Sequence, residues 1–163
     1  MDRLNTRNIL KRKKHKLEGN NYNCVLCNNN VEETAFHLFF SCSFSQACWR
    51  FLRIHLSLGK TIVCVNTRDG FPLVLLLFIG TIQVILFQMM MQAKLQLRNP
   101  FFMEIFIIAS WHIWKQRNNF IFDRGRPSFI SWKTSFYEEA KLQAFRLSEE
   151  KRHAFLLYLD PLS

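Results

Sequence analysis

The C-terminal third of the chain repeats apolar residues with the period of a helix. Residues 101–122 are apolar on nearly every side until Lys115, which predicts a helix whose first three turns are buried. The segment Asp123-Arg-Gly-Arg-Pro127 is typical of a turn, and Ser148 precedes a short third helix. The segment between Pro127 and Ser148 predicts an amphipathic helix, with charged residues on one side and apolar residues on the other. The apolar residues are Trp132, Phe136, Ala140, Ala144 and Leu147. The pattern predicts a helical hairpin over 99–163, beginning at Asn99-Pro100.

The middle of the chain contains one short amphipathic stretch and one long apolar stretch. Helical spacing predicts a helix over about 44–56, with Ser43 as N-cap and Gln46 completing a capping box. Residues 70–93 carry no charge, and about 71–91 has the length of a membrane span. Glutamines within it and similar basic flanks give it no membrane orientation. A buried or partner-covered segment is therefore favoured over a span, and both interpretations stay open.

Charge is concentrated at the N-terminus. The net charge of +10 arises from 22 Lys and Arg against 12 Asp and Glu, and seven of the basic residues lie within residues 1–20. This excess leaves nucleic acid, an anionic membrane or an acidic protein as partners. We expect a short basic helix here, whose candidate phosphate-binding residues are Lys11, Arg12, Lys13, Lys14 and Lys16.

The candidate chemistry lies in the spacing C-x2-C-x9-H-x4-C, formed by Cys24, Cys27, His37 and Cys42. Two thiolates two residues apart can hold one ion from a tight turn, and a His and Cys four apart can complete a tetrahedron. Zinc suits this set of sulfur and nitrogen ligands, and four protein ligands imply a structural rather than a catalytic ion. Cys48 is the competing fourth ligand, although a buried thiol role suits it better.

Cysteine number and the start of the chain indicate the compartment. Five cysteines are an odd number, and the polar start Met1-Asp2-Arg3 is followed by no secretory apolar region. We therefore expect reduced thiols and an intracellular location, nuclear or cytoplasmic, with a membrane location as the lesser alternative.

The residues around the predicted ligands resemble a known family. The segment Arg3–Lys14 leads into Cys24-Val-Leu-Cys27, and Glu33-Thr34 precedes His37-Leu-Phe-Phe-Ser-Cys42. Together they are similar to the zinc-binding domain of plant LINE-type (non-LTR) retrotransposon reverse transcriptases. The later Ala109-Ser-Trp-His-Ile-Trp-Lys-Gln-Arg-Asn118 resembles the segment that follows that domain in the same polyproteins. The resemblance implies a structural zinc ion on the same four ligands that the spacing selects: Cys24, Cys27, His37 and Cys42.

The chain departs from that family where catalysis is concerned. Its only aspartates are Asp2, Asp69, Asp123 and Asp160, none adjacent to another. Two-metal nucleotidyl transfer needs clustered carboxylates, so neither a polymerase nor a ribonuclease H site can be assembled. We expect a non-enzymatic protein, a fragment or relic of a retrotransposon polyprotein.

Three functions follow from these expectations. The first is a nucleic-acid-binding zinc module, in which aromatic residues near the ligands could stack on unpaired bases: Tyr22, Phe36, Phe39 and Phe40. The second is a zinc-scaffolded protein-interaction module that uses the apolar helices. The third is a small membrane protein anchored through about 71–91. The predicted fold is mainly α, with a zinc-stapled module at 1–58, an apolar linker or helix at 59–98 and the hairpin at 99–163.

Overall fold

The computed structural model describes residues 5–17, 19, 21–56 and 89–160, and this part of the chain is mainly helical. Residues 89–97 are helical, and an isolated antiparallel bridge pairs Asn23 with Glu32. A π-helical turn covers His37–Ser41. The five named α-helices, in chain order, are α1 (Arg7–Arg12), α2 (Ser43–Phe51), α3 (Phe102–Asp123), α4 (Phe129–Ala144) and α5 (Glu149–Leu159). The expectation of a mainly α fold is confirmed.

The apolar stretch in the middle of the chain falls mostly outside this description. Of the predicted linker or helix at 59–98, residues 59–88 lie outside the described residues, and so does 71–88 of the candidate membrane span. Among the helices that the structure describes, none is both long and apolar enough to cross a bilayer.

The predicted hairpin is formed by α3 and α4, which pack along each other. The stripe on α4 buries its aromatic rings against α3, and the indole N–H of Trp132 donates a hydrogen bond to the Ala109 carbonyl at 3.3 Å. Ser128 caps α4, since its hydroxyl accepts a hydrogen bond from the Ser131 N–H. The turn between the helices begins at Arg124, which takes a left-handed conformation with φ 54°. Apolar periodicity and turn chemistry therefore agree with the tertiary structure here.

Two predicted helix starts and one helix end differ from the structure. Cys42, not Ser43, is the N-cap of α2, and its extended backbone follows directly from the π-helical turn. Gln46 does not complete a capping box, because its side-chain amide donates to the Phe40 carbonyl. α2 ends at Phe51 rather than near 56, since Arg53 adopts a left-handed φ of 57°. α3 begins at Phe102, because Asn99 accepts the Phe101 N–H in a separate turn.

The helices and the cysteine-rich segment share one core. Trp49 of α2 is fully buried, stacks on Phe106 of α3 with ring centroids 4.9 Å apart, and donates its indole N–H to the Phe39 carbonyl. Phe51 contacts the edges of α4 aromatic rings, including Trp132 at 6.1 Å. The N-terminal segment is therefore packed directly on the hairpin.

A buried ion pair ties the same two parts together. Glu33 and Arg117 are 84 residues apart in sequence, and their side chains are 0% and 3% exposed. Glu33 Oε1 accepts from Arg117 Nη2 at 2.8 Å and Nε at 3.1 Å, and from the Arg7 backbone N–H at 3.0 Å. Arg117 also donates to the Asn5 carbonyl. One guanidinium therefore fixes α3 against both α1 and the cysteine-rich segment.

We expect the stability of the fold to depend on pH through His112 on α3. Burial lowers the pKa of His112, Lys115 adds repulsion, and Glu138 and Glu139 oppose the shift. Its Nε2 atom has no hydrogen-bond partner among the described residues. The unfolded chain, with an ordinary histidine pKa of about 6.5, then binds more protons than the folded chain below that pH.

We therefore expect the contribution of His112 to the free energy of unfolding to be constant above about pH 7 and to be lost as the pH falls below about 6.5. The His112→Phe variant should show a shallower loss of stability. Urea unfolding of both proteins at pH 5.5 and 7.5 measures this as a difference, in which contributions common to both proteins cancel. Equal pH dependence in the two proteins would contradict the assignment.

Candidate metal centre

A hairpin-like loop brings the first two candidate ligands together. The Cys24 N–H donates to the Val31 carbonyl at 2.8 Å, and the Glu33 N–H donates to the Tyr22 carbonyl at 2.9 Å. These bonds close a loop whose tip is Asn28-Asn29-Asn30, and Asn30 takes the left-handed conformation with φ 52°. Within this loop Cys24 is buried and Cys27 is half-buried.

The π-helical turn positions the second pair. The Cys42 N–H donates to the His37 carbonyl, five residues earlier, at 2.7 Å. The His37 N–H donates to the Thr34 hydroxyl at 2.9 Å, which anchors the start of the turn. This wide turn places the His37 ring and the Cys42 thiol on one side, facing the loop.

The donor atoms of Cys24, Cys27, His37 and Cys42 all lie within 4.8 Å of one another. The Cys24 and Cys42 sulfurs are 3.9 Å apart, and the Cys27 sulfur is 3.3 Å from His37 Nε2. A tetrahedral zinc ion with Zn–S distances of about 2.3 Å separates two sulfurs by about 3.8 Å. The four side chains thus form a possible metal-binding site whose size and chemistry fit zinc.

Outer contacts orient and polarise these side chains. The Nδ1 atom of His37 lies 3.1 Å from the Ser41 hydroxyl, so Nε2 is left to face the sulfurs. A hydrogen bond from Cys24, helped by the backbone N–H groups of Ser45 and Phe44, lowers the pKa of Cys42 to about 5. The same hydrogen bond and burial raise the pKa of Cys24. A thiolate is therefore favoured at the start of α2, and a thiolate is the form that binds metal.

Cys48, the competing ligand, lies outside this group. It is fully buried on α2, and burial raises the pKa of its thiol, so it behaves as a small apolar side chain. Its surroundings agree with the packing role that the sequence favours for it.

The basic residues named from the sequence lie on α1 and the turn after it, and all five are exposed. Lys11 forms an ion pair with Glu32 at 3.0 Å and lies over the Tyr22 ring. Hydrogen bonds from Asn8 and Lys11 lower the pKa of Glu32. The ammonium group of Lys13 lies 3.3 Å from the Asn5 side-chain oxygen. Lys11 is therefore partly neutralised locally.

The aromatic residues named as base-stacking candidates have packing partners. Phe36 and Phe40 stack on each other with centroids 5.8 Å apart, and Phe39 is partly buried against the core. Only Tyr22, half-buried beneath Lys11, lies on the side of the basic helix.

The Glu33–Arg117 pair was not identified from the sequence as a functional contact. Both residues belong to the stretches that carry the family resemblance, and this was the only signal that could have pointed to them. Thr34, from the same stretch, supports the turn at His37. The contact joins the metal-site segment to α3, so the arrangement of the site depends on residues far along the chain.

Comparison with known proteins agrees with the site. Residues 1–49 match the family model described as zinc-binding in reverse transcriptase, and this range contains all four converging side chains. The match confirms the expected resemblance to a reverse-transcriptase zinc-binding domain, while plant origin stays a prediction. No curated protein and no solved structure matches the chain.

Proposed function

We propose that this protein is a non-catalytic module of the reverse-transcriptase zinc-binding type that binds nucleic acid. The observation that carries the proposal is the convergence of Cys24, Cys27, His37 and Cys42 within the range that matches the zinc-binding family model. The basic helix packed beside this site supports the choice of nucleic acid as partner.

Zinc would have a structural role here. Cys24 and Cys27 would hold it from the loop, and His37 and Cys42 from the π-helical turn and the start of α2. When bound, the ion cross-links these segments, and four protein ligands leave no position for a reacting water. Because thiolate ligands must stay reduced, we place the protein in an intracellular compartment, nuclear or cytoplasmic.

Nucleic-acid affinity would come from the exposed cations of α1 and the following turn: Lys11, Arg12, Lys13, Lys14 and Lys16. Each phosphate contact releases counterions, so binding of this kind weakens steeply with salt. The ion pair with Glu32 reduces what Lys11 can contribute. Lys13 and Lys16 are the better candidates for testing.

The test compares two double variants of the full zinc-loaded chain. We expect Lys13→Gln with Lys16→Gln to lower affinity for a fluorescein-labelled 20-mer RNA or single-stranded DNA. The slope of log K against log[KCl] should become shallower by about 0.7 for each phosphate of the single strand that the variant no longer neutralises. Fluorescence anisotropy at several KCl concentrations measures both the affinity and the slope.

The control pair Lys141→Gln with Lys151→Gln removes the same charge from α4 and α5 and should leave the slope unchanged. Equal effects of the two pairs, or no binding by the wild type, would contradict the proposal.

A protein-interaction module is the second candidate. It rests on apolar side chains that α4 and the turn after it expose, namely Ile130, Leu142 and Phe145, which are 61–76% exposed. This function predicts no salt-dependent oligonucleotide binding, so the same titration distinguishes the two candidates.

A further inference from the structure

Helix α3 exposes aromatic side chains along one face. Trp111, Trp114, Asn118 and Phe122 follow one another at spacings of three or four residues, so they lie on the same side of the helix. Trp111 is 54% exposed and Phe122 is 73% exposed. A row of this kind is unusual on a surface without a binding role. We call these four residues the α3 stripe.

Two clefts adjoin the α3 stripe, and Trp114 lines both. The larger, of about 480 Å³, lies between α1 and α3, where Arg7 and Leu10 face Trp114, Asn118 and Phe122. The smaller, of about 290 Å³, is lined by aromatic and aliphatic residues that include Phe39, Ile107 and Trp111. A ligand that follows α3 would therefore meet aromatic faces in both clefts.

The positive charge of the larger cleft favours an anionic ligand. Among the described residues that line these two clefts there is no carboxylate. Arg7 and Arg117 both line the larger one, but the guanidinium of Arg117 is paired with the buried Glu33 carboxylate, so the positive charge of this cleft comes from Arg7. The Lys13 ammonium group stands at the rim, 3.3 Å from the side chain of Asn5, another lining residue. A third cleft, beside α5, differs in that Glu104 lines it. The larger cleft thus combines positive charge, aromatic faces and the amides of Asn5 and Asn118.

We infer that the α3 stripe and the larger cleft bind unpaired bases of single-stranded nucleic acid, an inference that rests on the proposed function. Bases in a duplex hide their faces against each other, whereas a single strand can present them to Trp111 and Phe122. Amide groups of asparagine can hydrogen-bond base edges, and Lys13 at the rim is placed for the backbone phosphate. A polyanion with planar π-faces matches this surface better than an apolar peptide, which carries no negative charge to pair with the cations.

The experiment truncates exposed rings, so that folding is preserved. Trp111→Ala and Phe122→Ala are compared with Phe145→Ala, a similarly exposed aromatic residue that lines none of these clefts. Zinc content and circular dichroism establish that each full-length variant is folded. Anisotropy titrations use a 20-mer of deoxythymidine, an abasic strand of equal length and a 20-base-pair duplex.

We expect about tenfold weaker binding of the deoxythymidine strand for each stripe variant, with an unchanged salt slope, because stacking is removed and charge is kept. The abasic strand should bind all proteins equally, and the wild type should prefer the single strand to the duplex. Wild-type affinity in the stripe variants, or an equal loss with the abasic strand, would overturn the inference while leaving the proposed function standing. In that outcome the exposed rings would serve a protein contact. No binding of any strand by the wild type would overturn both.

Discussion

The Cys42→Ser variant is expected to lose the zinc ion and, with it, the folded state of the segment around the metal site. A structural zinc contributes about 10–16 kcal/mol of apparent binding free energy at neutral pH. That is comparable to the whole stability of an ordinary domain, which is about 5–15 kcal/mol. The loop over 22–33 has few buried apolar side chains of its own, so their packing cannot keep it folded without the ion.

Cys48→Ala is the matched control, because it removes a buried thiol of the same helix that lies outside the cluster. It should keep one zinc per chain and lose only about 1 kcal/mol of packing. Elemental mass spectrometry and thermal unfolding, with and without a chelator, measure both outcomes. Retention of zinc by Cys42→Ser together with its loss in Cys48→Ala would move the fourth ligand to Cys48. A wild type without zinc would contradict the metal proposal itself.

Breaking the buried ion pair between Glu33 and Arg117 is expected to have the second-largest effect. The Arg117→Met variant leaves a fully buried carboxylate without its two guanidinium hydrogen bonds. Loss of one partner of a buried pair costs about 3–5 kcal/mol, because the remaining charge is neither solvated nor paired. The variant also cannot donate the Arg117 hydrogen bond to the Asn5 carbonyl, so we expect α1 to detach first.

The exposed pair of Lys11 and Glu32 provides the control. Its side chains are 52% and 35% exposed, and a Lys11→Met change should cost no more than about 1 kcal/mol, since water screens such pairs. Urea unfolding of the zinc-loaded proteins gives both free energies. Adding Glu33→Leu to Arg117→Met removes the unpaired charge and should recover part of the loss. A cost below about 1 kcal/mol for Arg117→Met alone would mean that the pair does not hold α3 in place.

The two predictions report on different connections within one core. Loss of zinc acts within residues 22–42, whereas loss of the ion pair separates that segment from α3. Trp49 and Phe106 also join these two parts through their stacked rings. If Arg117→Met retains zinc while losing stability, the metal site will have been shown to form without its full docking to α3.

Local sequence was sufficient to predict one helix of the hairpin, the set of candidate ligands and the basic surface. The stripe through Trp132, Phe136 and Ala140 predicted α4 because its period matches a helix that buries one side. The spacing of Cys24, Cys27, His37 and Cys42 was enough to select the residues whose donor atoms converge, because short loops bring ligands at such spacings together. The basic composition of residues 1–20 likewise located an exposed cationic surface around α1.

Tertiary structure decided what depends on distant partners. The predicted capping box at Ser43 was wrong. The π-helical turn makes Cys42 the N-cap of α2, and the Gln46 side-chain amide donates instead to the Phe40 carbonyl. Sequence pattern could not pair Glu33 with Arg117, since only the packing of α3 against α1 brings together side chains 84 residues apart. The cleft between those helices exists for the same reason. The sequence thus determined the periodic helices and the ligand set, which arise from neighbours along the chain. The docking of the helices, and the aromatic surface it leaves open, arise only from contacts made in three dimensions.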